Sequence, residues 1–184
     1  MKLWMKVAAL ACALVGSVGA WNYLSVGHPV ASRLSQDVRN EKVSFLAYHR
    51  YGVIPSTLVV DLRHISNEAT MADVLRALLQ SADVLKDKRF EHVFLAYRGT
   101  NKFQLEGGYF QTLGQEYAGQ NPAYTLRTLP ENVFKLDGSP AFGRWTGGLL
   151  GVLGKQMEDF NQFSHDWYLD DAVKESVSDA ASAR

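Results

Sequence analysis

Cysteine is almost absent from this chain of 184 residues, since Cys12 is the only one. The chain beyond residue 12 therefore has no internal disulfide, no thiolate nucleophile and no cysteine-based metal site. An excess of charge of one sign is also lacking, because 19 basic residues balance 19 acidic ones. Proteins that track a phosphate backbone carry basic runs, so nucleic acid is not an expected partner.

The short motifs that carry catalysis are missing as well. No Gly-x-Ser-x-Gly nucleophile motif occurs. A glycine-rich stretch is not a phosphate loop, since Gln156 follows Lys155 where a Ser or Thr is required. Ser164, His165 and Asp166 are the residue types of a catalytic triad, but they are consecutive in a predicted helix. Consecutive helical residues point about 100° apart, so the three side chains cannot align as nucleophile, base and orienting acid. We therefore predict no catalytic residue, no metal site and no cofactor.

What the chain does contain, in its first twenty residues, is the pattern of an export signal. Lys2 and Lys6 give a positive start, residues 7–15 are apolar, and Val18-Gly19-Ala20 supplies small side chains for a cut. Cleavage after Ala20 is the preferred interpretation. Acylation of Cys12 is disfavoured, because the apolar core before it is too short.

An uncleaved membrane anchor is the alternative. Apolar residues resume at Trp21, Tyr23 and Leu24, which extends the segment to about 18 positions, near the lower limit for a spanning helix. The two aromatic residues would then lie at the membrane interface, where aromatic side chains collect. Positive charge before the segment predicts export in either case. The expected location is the periplasm, or the inner membrane with the domain facing the periplasm.

Composition divides the chain into four parts. The body is long enough for one domain with a substantial core. The end of the chain is rich in Ala, Ser and charge, with little to bury. We predict a signal peptide or anchor over 1–20, a linker or short helix over 21–41, a single α+β domain over 42–172 and a disordered tail over 173–184.

Hydrophobic periodicity predicts the secondary structure. Apolar residues at a period of two predict strands, and a period of 3.6 predicts helices. Thr70, followed three residues later by Asp73, forms a capping box at one helix start. The predicted strands are 43–50, 57–63, 92–97, 102–106 and 124–128. The predicted helices are 30–40, 70–85, 109–117 and a long amphipathic one that starts near Thr146 and ends before Asp170. The fold class is α+β, a two-layer sandwich of a mostly antiparallel sheet of about five strands covered by helices.

The first candidate site consists of polar residues that follow two predicted strands. Arg63 and His64 follow one strand, and Arg98 follows another. If the strand ends are aligned, these side chains form a pocket for a carboxylate or a phosphate, which guanidinium groups bind bidentately. The competing interpretation is that charged residues gather there because the chain leaves the core.

The second candidate site opens the last helix. Backbone N–H groups at a helix start bind anions, and glycine lets a ligand come close. Glycines on one side of a helix also form a smooth strip for packing, within the domain or against a partner, and this interpretation is preferred. Arg and Trp dominate binding hot spots. The residues concerned are Arg144, Trp145, Gly147, Gly148 and Gly151.

These patterns predict an exported or membrane-tethered, non-catalytic binding module of the bacterial cell envelope. The expected partner is another envelope protein or a surface component, with membrane contact only through the N-terminal segment if that segment is uncleaved. The alternative is a small envelope hydrolase or an anionic-ligand carrier that uses His64, Arg63 and Arg98. In the hydrolase, Asp61 would orient His64 as the base.

Overall fold

A computed structural model describes residues 2–119 and 122–182 of the chain. Within those residues, four strands form one sheet in the order β1-β2-β3-β4. The two outer pairs are antiparallel, and the central β2–β3 pair is parallel. The strands are β1 Val43–Arg50, β2 Ile54–Ile65, β3 His92–Tyr97 and β4 Thr100–Glu106. The predicted class, an α+β sandwich with a mostly antiparallel sheet, is confirmed.

Seven α-helices occur in the described part of the chain. Two π-helical turns join pairs of them, Tyr23–Gly27 between α1 and α2 and His165–Leu169 between α6 and α7. The helices are α1 Lys2–Asn22, α2 His28–Ser35, α3 Met71–Leu85, α4 Gly107–Glu116, α5 Pro122–Thr128, α6 Leu149–Ser164 and α7 Asp170–Ser182.

The hydrophobic core lies between the helices and one face of the sheet. Alternation along β1 turns Val43, Phe45 and Ala47 toward this core and leaves the residues between them outside it. Helix α3 contributes a buried stripe to the core and begins at the predicted capping box, in which Thr70 and Asp73 each accept the other's backbone N–H. Periodicity alone therefore located these two elements.

The other face of the sheet carries only a small apolar cluster. Val59, Phe94 and Ala96 form it, and Tyr48 packs beside them. The guanidinium of Arg50 lies 4.6 Å from the centre of the Phe94 ring and shields it from water. The helices that build the core lie on the opposite face, which makes the domain a two-layer sandwich.

The N-terminal helix continues into the domain without leaving the helical region of backbone space. Asn22, Gly27 and His28, which flank the junctions, all have right-handed helical dihedrals. Pro29 lacks the N–H that a regular turn needs, and the π-helical turn before it accommodates this loss. The short helix that was one of the two predictions for 21–41 is present as α2, and it is joined to α1 through the π-helical turn.

The fifth predicted strand, 124–128, is wrong, because this segment is helix α5. Thr125 and Leu129 lie one helical turn apart and are both buried, so packing overrides the β-propensity of the Tyr and Thr residues. The edge of β4 is occupied instead by a single bridge between Gln104 and Phe134.

The C-terminal helix is long and amphipathic, as predicted, but it extends past Asp170. Phe160, Phe163 and Trp167 face the core from α6 and the π-helical turn. Helix α7 then covers most of the segment predicted to be disordered and continues to Ser182. Residues 183–184 of the predicted tail lie outside the described residues. Ion pairs from the sheet, such as Lys102 with Asp171, hold α7 in place.

Candidate functional site: a cleft and a helix junction

A cleft of about 520 Å³ opens at the edge where β2 and β3 end. Because these two strands are parallel, their carboxyl ends reach the same edge of the sheet. The chain segment after β2 forms one wall, and the start of α7 forms the other. The polar side chains of the cleft include His64, Ser66, Asn67, Tyr97, Arg98 and Glu175.

The charge of Arg98 is balanced inside the cleft. Its Nη1 lies 2.8 Å from Oε2 of Glu175. The hydroxyl of Tyr97 donates a hydrogen bond of 3.0 Å to the same carboxylate oxygen. Burial, and then this bond to Glu175, raises the pKa of Tyr97 to about 12. An anion entering the cleft would have to compete with a resident carboxylate for the guanidinium.

Two polar groups at the cleft have no protein partner among the described residues, the side chain of His64 and the hydroxyl of Ser66. Over residues 2–119 and 122–182, no hydrogen bond or ion pair joins the side chain of His64 to another residue. The hydroxyl oxygen of Ser66 is buried and has no hydrogen-bond partner among the same residues. Buried polar atoms are normally paired, so this hydroxyl is an unsatisfied polar group behind the cleft wall, whereas the exposed imidazole of His64 is open to a ligand.

The predicted trio of Arg63, His64 and Arg98 is divided by the sheet. His64 and Arg98 share the cleft, whereas Arg63 lies on the other face, where its Nη1 donates to Oδ2 of Asp61 at 3.0 Å. The backbone N–H of Gly99 donates to the other oxygen of Asp61, also at 3.0 Å. The Asp61 carboxylate is fully buried and engaged by these donors, so it does not orient His64. Strand alternation places the two residues on opposite faces.

The second predicted site is an exposed surface. The indole N–H of Trp145 donates to Asp159 at 2.6 Å, which fixes the ring against α6. Gly147, Gly148 and Gly151 face open space, since a Cβ added at any of them would meet nothing within 4 Å. The preferred interpretation included packing within the domain, which this geometry excludes for the three glycines. Arg144 is exposed beside them.

The residues around His165 form only a pair. Nδ1 of His165 lies 2.9 Å from Oδ1 of Asp170, and Asp166 accepts a hydrogen bond from Gln162. The hydroxyl of Ser164 is buried and donates to the backbone of its own helix. In the part of the chain that the structure describes, no group of three or more His, Cys, Asp or Glu residues is arranged to hold a metal ion.

A junction between the N-terminal helix and β1 was not predicted as a site. The Trp21 ring stacks on His49 with a centroid distance of 4.6 Å. The side-chain oxygen of Asn22 accepts the backbone N–H of His49 at 2.8 Å, and Ser25 Oγ lies 3.0 Å from His49 Nε2. Burial lowers the pKa of His49, and Lys88 lowers it further. The sequence signal was a histidine at an inward position of β1.

Comparisons with known proteins add no assignment to this geometry. No protein-family model matches the chain, and no curated protein or solved structure matches it either.

Proposed function

We propose that this chain is a membrane-tethered, non-catalytic binding module of the bacterial cell envelope, held by an uncleaved N-terminal helix and facing the periplasm. The helical segment Lys6–Ser35 supports the tether, because it is long and apolar enough to cross a bilayer and contains an 18-residue window with a mean hydropathy of 1.6. None of that window is buried against the domain. An apolar helix surface without a protein partner fits a lipid environment.

The observation that carries the proposal is a change of environment along one helix. Side chains such as Leu14 and Val15 are exposed at 60% and 74%, whereas Val26 and Val30 are fully buried in the domain core. The helix thus has an apolar part without protein contacts and a part that belongs to the domain. A tether built in this way is rigidly joined to the domain it carries.

The cleft supports the binding part of the proposal, because it lies far from the tether. The β1–β2 turn lies near Val18 of α1, and β2 then runs for twelve residues to the cleft edge. A strand of that length spans roughly 40 Å. The cleft therefore faces away from the membrane side of the domain, where an envelope partner can reach it.

The carrier alternative has one observation in its favour, the exposed side chain of His64, which lines the cleft. An anionic ligand is disfavoured because Glu175 already pairs with Arg98. A neutral polar ligand suits the cleft better, since it can pair with His64 without displacing the Glu175 carboxylate from Arg98.

Membrane extraction tests the tether. The full chain with a C-terminal epitope is produced in a Gram-negative bacterium, and membranes are washed with alkaline carbonate. We expect the protein in the membrane pellet, and we expect protease to remove the epitope only after the outer membrane is opened. Recovery of the protein in the soluble periplasmic fraction would contradict the tether.

Site-directed photo-crosslinking tests the binding part. A photoreactive amino acid at Asn67, in the cleft, should give an adduct of one discrete mass in cells, and the same probe at Leu136 serves as the control. Glu175→Lys should abolish the adduct, because it reverses the charge of one cleft wall. Equal labelling from both positions would argue against a cleft partner.

A further inference from the structure

The turn between β1 and β2 exposes apolar side chains. Tyr51, Val53 and Ile54 are all exposed, with Val53 at 57%. Tyr51 adopts φ of 55°, in the left-handed region where Asn, Asp and Gly are the usual residues of a hairpin turn. A tyrosine in this strained position at an exposed turn is poorly explained by folding alone.

This turn lies alongside the apolar part of α1. A Cβ added at Gly52 would lie 3.9 Å from Cγ1 of Val18. Two residues before Tyr51, His49 stacks on Trp21 of the same helix. The position of the turn relative to the helix is therefore defined at two points.

The depth of the turn follows from helix geometry. Val18 comes three residues before Trp21 and five before Tyr23. At a rise of 1.5 Å per residue, the turn reaches about 5–8 Å below the level of these two residues along the helix axis. Trp21 and Tyr23 are the aromatic residues that would mark the membrane interface. Interfacial segments bury their apolar side chains about 5–10 Å into the boundary between headgroups and acyl chains.

We infer that the β1–β2 turn, residues 51–54, inserts into the interface of the bilayer that α1 crosses. This inference rests on the proposed tether, and it adds a second membrane contact to the one predicted from the sequence. The bilayer is the occupant because the turn is continuous with the lipid-facing surface of α1. Arg50, whose guanidinium lies 5.1 Å from the Tyr51 ring, puts a positive charge beside the turn, and anionic lipid surfaces attract such charges.

Lipid-borne quenching of a site-specific fluorophore tests this contact. The full chain carries Cys12→Ala and one new cysteine labelled with nitrobenzoxadiazole, and it is reconstituted in phosphatidylethanolamine and phosphatidylglycerol vesicles that contain a nitroxide-labelled lipid. The probe at Val53→Cys reports the turn, Leu14→Cys reports the tether, and Leu136→Cys is the control. Leu136 is similarly exposed, at 50%, but follows the Phe134 bridge at the opposite edge of the sheet. Tyr51→Cys replaces Val53→Cys if that variant does not fold.

We expect blue-shifted emission and several-fold stronger quenching at positions 14 and 53 than at position 136. Quenching at 14 with control-level quenching at 53 would overturn the inserted turn and leave the tether intact. Control-level quenching at 14 would remove the tether, and the inference with it. Blue-shifted emission at 53 without quenching by the nitroxide would show a protein contact at the turn, from a second copy, and would also overturn the inference.

Discussion

Replacing Val30 with alanine should destabilise the whole domain, even though Val30 belongs to the N-terminal helix. Val30 is fully buried, and it forms the buried stripe of this helix together with Val26 and Leu34. Deletion of its two methyl groups forfeits roughly 1.5 kcal/mol of transfer free energy, and the residual cavity brings the expected loss to about 2 kcal/mol.

The matched control is Val15→Ala, the same substitution on the same helix. Val15 is 74% exposed, so its truncation should change the free energy of unfolding by less than about 0.5 kcal/mol. Urea unfolding of both variants in detergent micelles, followed by tryptophan fluorescence, measures the difference. The slope of the free energy against urea should stay constant while the midpoint of Val30→Ala falls.

Truncation extends the same reasoning. Removal of residues 1–41 takes Val26, Val30 and Leu34 out of the core, a loss of about 5–9 kcal/mol against a typical total stability of about 5–15 kcal/mol. A fragment of residues 42–184 should therefore fail to unfold cooperatively, whereas residues 21–184 should fold. Equal midpoints for Val30→Ala and Val15→Ala, or a stable fragment 42–184, would refute the view that the tether helix is part of the core.

Three further substitutions test packing, pH dependence and the buried carboxylate. Gly114→Ala should cost about 1–3 kcal/mol in urea unfolding, because its Cβ would lie 2.3 Å from the Ala82 carbonyl oxygen, while Gly108→Ala on the same helix has open space and serves as the control. The Thr70 backbone N–H lowers the pKa of Asp73 from 3.8 to about 2, so this carboxylate stabilises the fold above pH 3.8 and the contribution is lost as the pH falls through 2. Asp73→Asn should thus lower the free energy of unfolding by about 1 kcal/mol at neutral pH. An equally large difference between the wild type and the variant at pH 2 would contradict that linkage. Asp61→Asn should cost about 1.5–3 kcal/mol by thermal unfolding, and an unchanged midpoint would show that its buried hydrogen bonds contribute little.

The regular elements of the domain were predictable because each has a strong local pattern. The alternation of β1 and the capped stripe of α3 both depend on residues close together in sequence. The strand predicted over 124–128 was wrong because of tertiary context, since Thr125 and Leu129 are buried and the segment is helical. No local pattern indicated that a π-helical turn joins α1 to α2, or that side chains of the sheet pair with α7.

The candidate site was predictable only in part. Aligned strand ends would place His64 and Arg98 at one edge of the sheet, and both residues line the cleft there. The separation of Arg63 from that pair depends on strand alternation continuing to the end of β2. The partner of Arg98, Glu175, lies 77 positions away in a segment predicted to be disordered, so no local pattern could reveal it.

The intact mass of the protein extracted from membranes tests the tether most directly. The proposed tether requires that residues 1–20 remain, so we predict the full mass of 20.5 kDa in the membrane fraction. A mass that lacks residues 1–20, with the protein in the soluble periplasmic fraction, would show cleavage after Ala20 and would contradict both the tether and the membrane-inserted turn.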